Sequence, residues 1–112
     1  MEKKTLENME RRMVKDFLDI IVLTQLKSSR RISGYEIMEF IHRKFGFLVS
    51  AGTVYSLLYA MERKGLVKGE FAEGKRVYSI TDQGKRGIED ILELKAEIPV
   101  FMRGLLTVGD LH

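Results

Sequence analysis

Hydrophobic residues recur at helical spacing in the first part of the chain. Five of them lie on one stripe of a predicted helix: Leu6, Met9, Met13, Phe17 and Ile20. From Phe17 to Leu26 the sequence is apolar on nearly every side, which is typical of a central buried helix. We therefore expect one first helix from about Leu6 to Lys27, followed by a polar connection over residues 28–32.

Two shorter helices are predicted between Ser33 and Gly65. The first of them opens with the capping-box pattern Ser33-Gly34-Tyr35-Glu36, in which each end can satisfy a backbone N–H of the other. Its inward stripe consists of Ile37, Phe40 and Ile41. Gly46 is a preferred helix-ending residue, and Ser50 is a preferred cap for the next helix. Two helices joined by a four-residue turn at 46–49 match a helix-turn-helix unit.

After Gly65 the pattern becomes that of strands. The segments "LVKGEF" and "KRVYSI" predict a β-hairpin with a three-residue tip at 72–74. Thr81 then caps a last helix that starts near Asp82. This order of elements predicts a mainly α fold with a small β-hairpin (α+β). It is a winged helix-turn-helix domain over residues 1–81, including an N-terminal helix, with a C-terminal dimerisation helix over 82–112.

The predicted helix from Ser50 has one apolar and one hydrogen-bonding face. The apolar face consists of Val54, Leu57, Leu58 and Met61. The opposite face carries Gly52, Tyr55, Ser56, Tyr59 and Arg63. In a helix-turn-helix unit the N-terminal residues of the second helix enter the DNA major groove, and hydroxyl groups donate to phosphates or base edges.

Most of the hydrogen-bonding residues of this helix also have a plainer interpretation. Ser50 and Thr53 are common capping residues. Tyr55 and Tyr59 equally fit half-buried packing against the hairpin or the first helix. Arg63 complements the dipole at the end of its helix. Gly52 is the exception, because a glycine in the first turn lets a phosphate approach the backbone closely.

The tip of the hairpin, which we predict to be a wing over residues 71–76, is basic. Lys75 and Arg76 follow Gly74, as a wing that grips a DNA backbone or minor groove would require. Glu70 and Glu73 dilute this charge, and an ordinary solvated turn is the alternative.

Composition excludes several classes of function. A net charge of +3 permits a nucleic acid partner without requiring one. The chain has no cysteine, and its two histidines, His42 and His112, are far apart, so we expect neither a metal site nor a cofactor. No nucleophile–base pair or phosphate loop is present, and Glu62 and Asp82 occupy ordinary surface or cap positions, so an enzyme is disfavoured. The charged first ten residues and the interrupted apolar run predict a cytoplasmic protein without membrane association.

Three segments together resemble the PadR family of winged-helix transcriptional regulators: "SGYEIM" at 33–38, "SAGTVYSLLYAMERKGLV" at 50–67 and "RVYSITDQGK" at 76–85. The resemblance implies a homodimeric regulator, usually a repressor, that binds a nearly palindromic double-stranded DNA site. The DNA-binding residues it implies are Tyr35, Ser50, Gly52, Thr53, Tyr55, Ser56 and Tyr59, with Lys75 and Arg76 on the wing. Two positions depart from the family, which often has proline at Ala51 and at Ser56, and the second departure affects base preference.

The last helix supplies a separate argument for a homodimer. Its apolar residues follow a three-four spacing that is typical of a helix seam. With two methionines of the first helix, they form the predicted dimer interface: Met9, Met13, Ile91, Leu94, Ile98, Phe101 and Leu105. The alternative is that the seam packs on the first helix of the same chain. Pro99 predicts a kink or break, with residues 100–112 as a separate helix.

A small-molecule effector and a different class of partner are the remaining questions. Some members of the family bind phenolic acids or drug-like molecules, but no polar cluster for such an effector is evident here. Met9, Met13 and Met102 have two interpretations, the lining of an adaptable pocket or core filling, and we expect core filling. The alternative function is a winged-helix protein-interaction module, in which the tyrosine face and the last helix contact other proteins.

Overall fold

A computed structural model describes residues 2–29 and 31–110. Its helices are α1 (Glu2–Asp16), α2 (Leu18–Ser28), α3 (Gly34–Phe45), α4 (Ala51–Arg63), α5 (Asp82–Leu92) and α6 (Glu97–Leu106), with a short 3₁₀ turn at Val108–Asp110. Its strands are β1 (Ile32–Ser33), β2 (Val67–Ala72) and β3 (Lys75–Ile80). Leu111 and His112, which end the predicted dimerisation segment, lie outside the described residues.

The hydrophobic core is centred on α2, as the apolar sequence predicts. Val22 and Leu26 are fully buried between α3, α4, α5 and the sheet. On α4, Val54, Leu58 and Met61 are buried and Leu57 is half-buried, so the predicted inward stripe is confirmed. The opposite side of α4 is therefore turned away from the core.

The predicted single first helix is wrong in two respects. It begins at Glu2 rather than near Leu6, and it bends at Phe17, which has φ −106° and ψ 22°. Hydrogen bonds from Phe17 N to Met13 O and from Ile21 N to Phe17 O, both 3.0 Å, continue across the bend. Leu6, Met9 and Phe17 are exposed, whereas Val14 of α1 is buried in the core.

The hairpin belongs to a three-stranded antiparallel sheet in the order β1-β3-β2. β1 was missed because residues 28–32 read as a polar connection, yet Ile32 pairs with Tyr78 of β3. The connection between β2 and β3 has two residues rather than three. Glu73 and Gly74 have φ of 53° and 77°, as a type I′ turn requires to match the twist of its strands.

The C-terminal helix is broken, but not at Pro99. α5 ends at Leu92, the turn at residues 93–96 follows, and α6 starts at Glu97. Pro99 then occupies the first turn of α6, where a helix tolerates the missing N–H. Within the described residues no helix is both long and apolar enough to span a membrane.

Candidate nucleic-acid interface

Capping interactions at the start of α3 set the geometry of the helix pair. Glu36 N donates to Ser33 Oγ (3.2 Å), and Ser33 N donates to Glu36 Oε1 (3.0 Å). The hydrogen bond from the Ser33 backbone N–H is the largest cause that lowers the pKa of Glu36, and the hydrogen bond from the Ser33 hydroxyl is the second. Gly46 ends α3 with φ 82°, a left-handed conformation that suits glycine. The predicted capping box is confirmed, and α4 follows after a short turn.

The N-terminus of α4 keeps free donors. Ser50 Oγ accepts from Thr53 N (3.1 Å) and donates to Thr53 Oγ1 (2.8 Å). The plainer interpretation as a cap therefore holds for Ser50, whereas Thr53 is the residue that Ser50 caps. The hydroxyl proton of Thr53 is still available to an outside acceptor. The N–H groups of Ala51 and Gly52 have no acceptor among the residues that the structure describes, as is usual for a first helical turn.

The outward face of α4 contains most of the predicted residues. Gly52, Ser56, Tyr59 and Arg63 are exposed, with 51% of the Tyr59 surface accessible. A Cβ atom added at Gly52 would meet no atom within 4 Å. Packing within the chain therefore gives no reason for glycine at this position.

Tyr55 differs from the rest of this face. It is half-buried and packs on the core, and a Cβ atom added at Gly34 would lie 2.5 Å from its Cζ. The start of α3 thus needs glycine in order to admit the Tyr55 ring. The packing interpretation is therefore confirmed for Tyr55 in its half-burial, and Gly34 of α3 is one of the neighbours of its ring.

Tyr35 and Lys75 lie near each other at the edge of this surface. Tyr35, in the first turn of α3, is 64% exposed. Lys75 Nζ is 3.9 Å from Glu36 Oε1, and both side chains are largely exposed. The wing, which we define as residues 67–80, therefore brings a cation next to the α3 N-terminus.

Arg76 does not project from the wing tip beside Lys75. Its Nη2 donates to Glu62 Oε2 (2.9 Å) and Oε1 (3.1 Å) at the end of α4. The interpretation of Glu62 as an ordinary surface carboxylate is wrong, because it is partly buried against the wing. No sequence signal was available for this pair, since its partners lie on different elements and meet only after the hairpin has folded.

The predicted dimer residues divide into two groups. Ile91 is half-buried and packs on the core, as the intramolecular alternative requires. Met9, Leu94, Ile98, Phe101 and Leu105 are exposed, and α6 has no buried residue. The core-filling interpretation of the methionines is wrong: Met9 is exposed, and neither Met13 nor Met102 belongs to the core. Met13 and Met102 line an apolar groove of about 350 Å³ between α1, α5 and α6, with Phe17 and Ile98.

The fold and the exposed α4 define a winged helix-turn-helix protein. The model of the transcriptional regulator PadR-like family matches residues 22–90, and the chain belongs to this family, which consists of regulators rather than enzymes. The resemblance and the mainly α fold with its small sheet are thereby confirmed. No curated protein matched the sequence.

Solved structures of the same fold agree with this assignment. A PadR family transcription regulator from Clostridium difficile is 28% identical, with a TM-score of 0.69, and the match covers 80% of this chain and 98% of that one. A PadR-like transcriptional regulator from Bacillus cereus is 26% identical, with a TM-score of 0.70, and the match covers 85% of this chain and 96% of that one. Bacillus subtilis PadR in complex with operator DNA is 24% identical, with a TM-score of 0.60, over 67% of this chain and 46% of that one.

Proposed function

We propose that the chain is a sequence-specific DNA-binding repressor that acts as a homodimer. In this proposal α4 enters the major groove and the wing contacts the backbone or minor groove. Residues 1–81 bind DNA and 82–112 hold two copies together. A repressor of this kind blocks a promoter by occupying it. We expect it to act in the cytoplasm, where its DNA is.

The exposed N-terminus of α4 carries the proposal. Its two free N–H groups lie at the positive end of the helix dipole, where a phosphate binds well. Gly52 adds no side chain that would keep the phosphate away. Beyond this turn, Ser56 and Tyr59 offer hydroxyl groups to base edges, and Arg63 offers a cation.

The wing and its surroundings support the same orientation. Lys75 is exposed at its tip, and Tyr35 is exposed beside it. These groups extend the α4 surface toward a neighbouring stretch of backbone, where phosphate contacts set the register of the protein on DNA. The structure of the Bacillus subtilis relative with operator DNA is the precedent for such a complex.

The exposed apolar residues of α1 and α6 support a homodimer. Met9, Leu94, Ile98, Phe101 and Leu105 are costly to leave in water, and a second copy of the same surface would cover them. A two-fold dimer presents two α4 helices to two half-sites about 34 Å apart, which accounts for an expected near-palindromic operator. A small-molecule effector stays a prediction without a defined site.

Binding to genomic DNA fragments in competition with random duplex tests this function. We expect at least one fragment to be bound about 10³-fold more tightly than the competitor, and the affinity to fall as salt rises. Lys75→Gln removes one phosphate contact in each copy of the dimer and should reduce the slope of log affinity against log salt by about 1.8, whereas the exposed Lys3→Gln on α1 should leave it unchanged.

Equal binding to all fragments would contradict sequence-specific regulation. Capture of a protein partner without any DNA binding would favour the interaction-module alternative. Transcription from the bound promoter in vitro tests the sign of regulation, and an increase on adding the protein would contradict repression.

A further inference from the structure

A polar contact joins the wing to the recognition helix α4. Glu62, in the last turn of α4, accepts two hydrogen bonds from Arg76 Nη2 of β3, at 2.9 and 3.1 Å, and one from the backbone N–H of Gly69 in β2, at 3.3 Å. One carboxylate therefore binds both strands of the wing. We call these three residues, Glu62, Gly69 and Arg76, the wing clamp.

The absence of a side chain at Gly69 provides the space for the Arg76 guanidinium. A Cβ atom added at Gly69 would lie 2.7 Å from Arg76 Nη2 and 2.9 Å from Nε. The Arg76 side chain thus crosses β2 over the one residue without a side chain. Arg76 Cζ also lies 5.7 Å from the centre of the Tyr78 ring, a distance at which cation and ring attract each other.

The wing clamp is better formed than the other ion pairs of the described residues. Its shortest N–O distance is 2.9 Å, and its side chains are 32% and 30% exposed. The pairs Lys27–Glu89, Arg31–Glu70 and Lys75–Glu36 have distances of 3.8 to 3.9 Å and at least one side chain that is 44% exposed or more. Partial burial reduces screening by water and salt, so the clamp keeps its strength where exposed pairs lose theirs.

We propose that Arg76 and Glu62 are positioning residues that fix the wing relative to α4, and that Lys75 is the wing cation that contacts DNA phosphate. This inference rests on the proposed function. The clamp holds β2 and β3 at Gly69 and Arg76, so that only residues 70–75 extend beyond it. The angle at which Lys75 reaches the backbone is therefore set by Glu62, a residue that would itself repel DNA.

Removing the negative charge of Glu62 tests the proposal, because the two possible roles of Arg76 predict opposite changes in DNA affinity. If Arg76 were a phosphate contact, Glu62→Gln would remove a nearby negative charge and free the cation, so binding to the selected operator fragment would become tighter. A positioning role predicts the reverse, a loss of about threefold to tenfold in affinity, which is the range for a partly buried charged pair. Arg76→Lys should weaken binding as much as Arg76→Gln, although it keeps the charge.

The salt dependence separates the two roles independently. A positioning role predicts that Arg76→Gln, Arg76→Lys and Gly69→Ala all weaken binding by displacing Lys75. In a chain that already carries Lys75→Gln, none of the three changes should therefore lower the affinity or the salt slope further. Gly69→Ala is the most specific of them, because it displaces the guanidinium without altering any charge. The exposed Arg31–Glu70 pair, of which only Glu70 lies on the wing, supplies the control, since Arg31→Gln and Glu70→Gln together leave Glu62, Gly69 and Arg76 in place.

Two results would overturn the inference. One is a salt slope that Arg76→Gln reduces by a further ~1.8, from one contact of about 0.9 in each copy of the dimer, in a chain that already carries Lys75→Gln, together with tighter binding by Glu62→Gln. The other comes from the DNA-free protein, where the clamp predicts faster hydrogen exchange of the Gly69 amide in Glu62→Ala, which removes the acceptor, than in the wild type. An unchanged exchange rate would show that the clamp does not form. If the exchange changes but the wild type has no preferred DNA fragment, the clamp stands and the proposed function fails.

Discussion

At the scale of single residues, Gly52 is a residue that contacts within the chain do not explain. Glycine lowers helix stability by about 0.5–1 kcal/mol relative to alanine, and the space around a Cβ at this position is open. The chain itself therefore gains nothing from glycine here. A surface that must come within contact distance of the α4 backbone accounts for it.

Replacing Gly52 by alanine should separate stability from DNA binding. We expect Gly52→Ala to raise the free energy of unfolding by up to about 1 kcal/mol. The same change should weaken operator binding by about tenfold, because the methyl group would occupy the place of the phosphate. Urea unfolding and a DNA titration measure the two effects.

Gly87→Ala in α5 is the matched stability control for this variant, since a Cβ there also meets no atom within 4 Å. It should gain stability in the same way. If Gly52→Ala binds the operator as well as the wild type does, no phosphate approaches this turn, and the role assigned to Gly52 is wrong.

The two tyrosines of α4 show what spacing along a sequence can resolve. A separation of four residues correctly predicts that Tyr55 and Tyr59 lie on one side of a helix. It cannot distinguish their environments, because the space that receives Tyr55 comes from Gly34 of another helix. Tyr59 has no such neighbour and stays exposed. The position of each ring thus depends on a contact between elements.

At the scale of elements, local rules predicted those features whose cause is local. The capping box of α3, the cap at Ser50 and the inward stripe of α4 follow from neighbouring residues, and all three are present. β1 was missed because its only reason to be a strand is its pairing with Tyr78 and Val77 of β3. The wing clamp was missed for the same reason, since Glu62 and Arg76 meet only in the folded domain.

The capping box should make stability depend on pH. The hydrogen bonds from Ser33 hold the pKa of Glu36 below its ordinary value of 4.5, and Lys75 adds a smaller effect in the same direction. The stabilisation is therefore complete above about pH 4.5 and is lost as the pH falls through the lower, folded-state pKa. We expect Glu36→Gln to lower the free energy of unfolding near pH 7 by up to about 1 kcal/mol.

Urea unfolding at neutral pH and near pH 3 measures this dependence, and the difference between wild type and variant should shrink in acid. Glu39→Gln, at an exposed position of the same helix, should show no such change. A difference that stays constant between the two pH values would contradict the role of the ionised carboxylate.

At the scale of the whole molecule, the shape is that of a compact domain with projecting helices. The radius of gyration is 16.1 Å and the longest dimension is 58 Å, whereas a compact domain of this size has a radius of roughly 13 Å. Both ends of the chain contribute exposed apolar residues, Leu6 and Met9 on α1 and Phe101 and Leu105 on α6. Such a surface is stable in water only when another surface covers it.

Charged residues on α6 should therefore separate the two copies of the proposed homodimer. Phe101 is 72% exposed and Leu105 is 60% exposed, so Phe101→Glu or Leu105→Glu leaves the fold of one chain intact. In a two-fold dimer each change occurs twice, and the loss of burial of about 1.5–3 kcal/mol for each side chain predicts a dissociation constant raised at least about hundredfold. Sedimentation equilibrium of wild type and variants measures this change.

Leu48→Glu provides the control, because Leu48 is 70% exposed in the turn between α3 and α4, on neither α1 nor α6. It should leave the dissociation constant unchanged. Dimers of unaltered stability in both α6 variants would show that this helix is not the interface. A wild-type chain that sediments as a monomer would remove the basis for two linked half-sites, since each α4 would then bind its stretch of DNA alone.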